Sequence, residues 1–148
     1  MRGGQARAQR AFRISHRMFP ELRSYSMSVP RDASGREFGR YLAGVIRAAP
    51  EVTGYDLVLD FSEGFCDASQ EDVAVIAEAY AEQRAGEGEP TFTFIVSPDP
   101  NFEFWTAALD FFFAGRTHRW VATVEEAWQR LEGLRGRERQ SASVRALA

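Results

Sequence analysis

Four side chains that can do chemistry fall within ten residues of one another: Asp60, Ser62, Asp67 and Ser69. Asp60 closes an apolar run, residues 55–61, that reads as a buried strand. An aspartate at a strand end bonds to the amides of the following loop. Ser69 precedes a run of helical periodicity and has Asp72 three residues on. That is the spacing of an N-cap, whose hydroxyl accepts from an amide the first turn leaves unpaired. The same place favours an anion, because free N–H groups and the helix dipole point at it. A plain cap and a phosphorylatable serine therefore use one geometry.

The other reactive residue types do not assemble. His16, His118 and the single Cys66 cannot supply a tetrahedral zinc set, and one cysteine cannot close an internal disulfide. All 18 basic residues are Arg. This excludes Schiff-base chemistry, a Walker-type phosphate lysine and the lysine of receiver domains. The only Gly-x-Gly, at Gly86 and Gly88, follows a helix and precedes a strand, so it is a helix stop rather than a dinucleotide loop. There is no nucleophile elbow and no C-x-x-C. An enzyme would have to use Asp60, Asp67 and Arg116, and nothing in the sequence places them together. The expectation is a non-enzymatic protein without a cofactor or metal.

The elements that must position these residues follow from periodicity. With 148 residues, 45% hydrophobic and 26% charged, the composition is that of one globular domain. No apolar stretch is long enough to span a bilayer, no secretory segment opens the chain, and a cytoplasmic location is expected. Residues 11–134 hold 11 Arg against 20 acids, a net −9, which disfavours a nucleic-acid groove. Residues 1–10 read as a disordered leader and 135–148 as a basic tail, each carrying +3.

Within 11–134, alternation at Phe12, Ile14 and Met18 and again at Tyr25, Met27 and Val29 predicts a β-hairpin around Pro20. Ser34 and Glu37 form a capping box opening a helix with Phe38, Tyr41, Leu42, Val45 and Ile46 inward. A strand at 55–61, a helix from about Ser69 with Val73, Ile76, Ala77 and Tyr80 inward, and a strand at 91–96 come next. A third helix follows Asp99-Pro100 and runs over residues 101–114. A short strand at 119–122 and a helix opened by Thr123 and Glu126 complete the order ββαβαβαβα. This predicts an α/β fold with a mixed, mostly parallel sheet of about five strands and four helices. Val58, Phe94, Ile95, Ile46, Ile76 and Trp128 are the expected core.

The third helix is unusual. Phe102, Trp105, Leu109, Phe112 and Phe113, with Ala108, share one face, while Phe104 and Phe111 project to the other. Two phenylalanines on a solvent face need a cover: a second copy of the chain, a docking partner or an acyl chain.

The element order and the central strand–loop–helix resemble the STAS domain of anti-anti-sigma factors (SpoIIAA-like proteins). That family carries a run of the type L-D-apolar-S, a short loop, and D-S-S-G at a helix start. Leu59-Asp60-Phe61-Ser62 and Asp67-Ala68-Ser69-Gln70 stand at the two ends here, with Ala68 and Gln70 departing from the pattern and a loop one residue shorter. The resemblance implies a regulatory or protein-interaction module with an anti-sigma or kinase-like partner, docked around Asp60, Ser62, Asp67 and Ser69. Ser69 falls on the serine that a partner kinase phosphorylates. The competing expectation is a carrier or sensor of an apolar, lipid-like ligand, since 19 aromatic residues could line a pocket.

Overall fold

A computed structural model describes residues 14–63, 67–84 and 88–147. The leader at 1–10, Phe12, Cys66 and Gly86 lie outside the described residues. The chain forms β1 (Ser15–Phe19), β2 (Ser24–Ser28), α1 (Gly35–Ala48), β3 (Asp56–Asp60), α2 (Gln70–Gln83), β4 (Thr91–Val96), α3 (Phe102–Ala108), β5 (Arg116–Val121) and α4 (Val124–Leu147), with short 3-10 turns at Pro20–Leu22, Pro50–Gly54 and Leu109–Phe111. This is the expected α/β order. The five strands lie side by side in chain order, β1 antiparallel to β2 and the rest parallel.

Alternation along the strands splits the core in two. Tyr25, Met27, Leu57, Leu59 and Ile95 face one side and meet Phe38, Leu42 and Ile46 of α1 and Val73, Ile76 and Tyr80 of α2. Phe102, Leu109 and Phe113, in and after α3, join the same cluster. Val58, Phe94, Val96 and Val121 face the other side and meet Ala127 and Leu131 of α4. The three crossover helices thus share one face and the C-terminal helix holds the other. Burying both faces explains why β3 and β4 read as near-continuous apolar runs.

Of the expected core, Val58, Phe94, Ile95, Ile46 and Ile76 are buried. Trp128 is only half-buried: α4 leans its ring edge-on against Phe19, 5.7 Å between centroids, at the margin of the sheet.

Three boundaries differ from expectation. Strand β5 starts at Arg116 rather than 119, because the buried Arg116 side chain makes four hydrogen bonds at the strand's first residue. Helix α3 stops at Ala108 and tightens into a 3-10 turn. Asp110 Oδ1 accepts from the backbone N–H of His118 at 2.7 Å and lies 2.9 Å from its Nδ1, which fastens that turn to β5. The buried stripe is Phe102, Thr106, Leu109 and Phe113, the narrow i, i+4, i+7, i+11 row of the 100° period, so Ala108 and Phe112 are exposed and Trp105 lies at the margin of the buried face. Helix α4 continues to Leu147, through the segment expected as a tail, and Arg135 pairs with the buried Asp56 at the start of β3.

Candidate functional site

The C-terminal ends of β2 to β5 align at Ser28, Asp60, Val96 and Val121, and the crossover loops emerge from this edge. Ligand and partner sites of parallel sheets gather there. Asp60 ends β3 half-buried, and its Oδ1 accepts from the amide of Ser62 at 2.9 Å, the strand-end role expected of it. Phe61 beside it turns inward and meets Phe38 edge-on at 5.0 Å. Ser62 is exposed.

Two helix N-termini converge on the loop that follows. Ser69 caps α2: its Oγ accepts from the Asp72 amide at 3.2 Å, while the Asp72 carboxylate accepts from the Ser69 amide at 2.8 Å and its hydroxyl at 3.0 Å. Ser34 caps α1 in the same way through Glu37. Asp67 crosses between them, its Oδ1 accepting from the amide of Gly35, the first residue of α1, at 2.5 Å. The carboxylate thereby satisfies one of the four amides a helix start leaves free.

This approach requires glycine. A Cβ on Gly35 would lie 2.3 Å from the Cα of Ala68, and one on Gly39 would lie 3.0 Å from the Asp72 carbonyl oxygen. Beside this contact, Arg36 and Arg40 of α1 face Glu71, Asp72 and Val75 of α2 across a groove of about 350 Å³. Among the described residues, neither arginine has a bonded partner.

Asp60, Ser62, Asp67 and Ser69 are therefore brought to one edge. Arg116 is not among them. It sits in register with Thr91 at the opposite ends of the strands, five residues and roughly 16 Å from the level of Asp60 at about 3.3 Å per residue. Asp60 and Asp67 on the one hand and Arg116 on the other thus lie at two different edges.

At that opposite edge lies a polar cluster without a sequence motif. The Arg116 guanidinium donates to the carbonyls of Phe92, Thr53 and Tyr55 and to Thr93 Oγ1, at 2.8–3.1 Å. Burial pushes its pKa down to about 9, opposed by the Asp56 carboxylate, so it remains charged at neutral pH. Burial pushes His118 down to about 4 against the opposing pull of Asp110. The imidazole is neutral at pH 7, and its Nδ1 proton points to Asp110 because a carboxylate can only accept. Among the described residues, no three His, Cys, Asp or Glu side chains gather in a way that could hold a metal.

Between the sheet and the three crossover helices lies a cavity of about 50 Å³. Leu42, Leu57, Ile76, Ile95 and Phe113 line it, and Trp105 reaches it from the surface. Next to Trp105, Phe104 and Phe111 are 84% and 92% exposed, on the outward face assigned to them by periodicity. No helix of the described chain is long and apolar enough to cross a membrane. Comparison of the chain with family models, with curated proteins and with solved structures finds no match.

Proposed function

We propose that this chain is a non-enzymatic regulatory module that docks a protein partner at the β3–α2 loop, with phosphorylation of Ser69 as its switch. One observation carries the reading. Ser69 offers an exposed hydroxyl at the N-terminus of α2, on a loop that Asp67 ties to the N-terminus of α1. A phosphate on that hydroxyl gains from both helix dipoles and has Arg36 and Arg40 close to α2 to answer it, while Asp72 and Asp67 repel it. Modification would therefore redistribute the contacts that hold α1 and α2 together at the docking edge. The partner implied by the STAS-like motif is an anti-sigma or kinase-like protein. Phe104 and Phe111 offer a separate apolar surface for a partner or for a second copy of the chain.

The test is phosphosite mapping by mass spectrometry on protein from its own cells, with partner capture by Ser69→Ala and Ser69→Glu variants. Phosphate on Ser69 and capture that differs between the two variants support the switch. An unmodified Ser69 under all growth conditions, with equal capture by both variants, overturns it.

A carrier of an apolar ligand is the second reading, favoured by the apolar core cavity. At about 50 Å³ that cavity is far below the roughly 300–1,000 Å³ of small-molecule sites. This reading therefore requires α3 to move outward on binding.

A further inference from the structure

One helix cannot cover a five-stranded sheet. A helix is about 10–12 Å wide with its side chains, and strands lie about 4.8 Å apart. Helix α4 rests on Val58, Phe94, Val96 and Val121 and leaves the margins of its face open. Toward the β1 margin this face carries Arg17 of β1 and Ser26 and Ser28 of β2, as a solvated surface should. The β5 margin differs. Between β4, the edge strand β5 and α4 runs a groove of about 500 Å³, lined chiefly by Phe92, Phe94, Arg119, Arg130, Leu134 and Arg137.

Three arginines line this groove, and no Asp or Glu among the described residues does. That runs against a body with a net −9. Arg130 is shared with Glu126 at 2.9 Å. Arg119 donates only to the carbonyl of its neighbour His118, at 3.2 Å. Arg137 has no bonded partner among the described residues. The floor is Phe92, half-buried and packed against the α4 cluster together with Leu134. Gly133 of α4 also borders the groove, and a Cβ there would meet nothing within 4 Å.

We propose that this groove binds a phosphate monoester carried on a flat apolar body. Guanidinium forks match phosphate oxygens, and Arg119 and Arg137, which have no carboxylate partner among the described residues, suit a dianion better than a monocarboxylate, with Arg130 beside them shared with Glu126. The apolar body lies on Phe92 and Leu134. The volume falls within the roughly 300–1,000 Å³ typical of small-molecule sites. The site stands on the face opposite the α1–α2 groove and is independent of any role of Ser69.

Calorimetric titration of the whole chain with phenyl phosphate, inorganic phosphate and benzoate tests each half. Phenyl phosphate should bind about tenfold more tightly than either of the others, which lack the ring or the dianion. Arg119→Gln and Arg137→Gln should each weaken it by about tenfold, the loss expected for one charge-assisted contact. Phe92→Leu should bring phenyl phosphate down toward inorganic phosphate. Gly133→Leu fills the groove with a good helix former, so it should abolish binding without lowering the unfolding temperature. Benzoate binding as tightly as phenyl phosphate would overturn the assignment. So would affinity unchanged in the double arginine variant, or the absence of any binding heat with phenyl phosphate.

Discussion

Arg116 shows what a buried cation does when no carboxylate bonds to it directly. Its four acceptors come from β4 and from the 3-10 turn and link before β3, so one side chain ties three segments at the strand starts. Arg116→Met keeps much of the volume but takes away the bonds to three carbonyls and a hydroxyl. It should cost about 3–5 kcal/mol in urea unfolding, as for other broken buried charge networks. His118 acts through pH. Its folded pKa near 4 lies below the ordinary 6.5, so the unfolded chain takes up a proton first as pH falls. The stability contributed by the neutral imidazole is complete above about pH 6.5 and is lost progressively toward pH 4, by about 3 kcal/mol in all. Unfolding curves at pH 7 and pH 4.5 should separate less in His118→Gln than in the parent chain. Equal separation would show that other groups carry the acid sensitivity. Arg116 stood out in the sequence only as a possible reactive residue, and the bonding role of neither was legible, because their partners are carbonyls, a hydroxyl and a carboxylate brought together only by tertiary structure.

Elements were legible where their signals are local. The boxes at Ser34–Glu37 and Ser69–Asp72 are three-residue spacings, and both helices start where those spacings put them. Ser69→Ala removes the cap and should cost about 0.5–2 kcal/mol, read as a lower denaturant midpoint with an unchanged slope. The third helix was half legible. Its outward Phe104 and Phe111 follow from a 100° period, but the switch to a 3-10 turn depends on Asp110 finding His118, eight residues on. Phe104→Ser with Phe111→Ser should leave stability within about 0.5 kcal/mol, as expected for surface positions. If these rings make a dimer, sedimentation of the same variant should show a shift toward monomer. A double variant that unfolds would place them in the core instead.

At the level of the molecule, the fold was legible because alternating strand and helix patterns leave few topologies. The extent of α4 was not, because past Leu134 it is fastened by the Arg135–Asp56 pair rather than by an apolar stripe. Ile76 sits in the larger cluster and lines its cavity. Ile76→Ala should cost about 2–5 kcal/mol and enlarge that void, with thermal unfolding as the measure. An unchanged unfolding temperature would mean that the surrounding helices close over the gap.

The sheet runs β1 to β5 in chain order, which has a consequence during synthesis. Each strand leaving the ribosome finds its partner already in place at the growing edge, and none must insert between two paired neighbours. The α1–α3 side can therefore condense unit by unit as it emerges. The other side cannot, because Val58, Phe94, Val96 and Val121 have no cover until α4, the last element, has been made. A nascent chain paused before Val124 would present a nearly complete sheet with one apolar face bare, the form in which this protein is most exposed to aggregation and to chaperone capture.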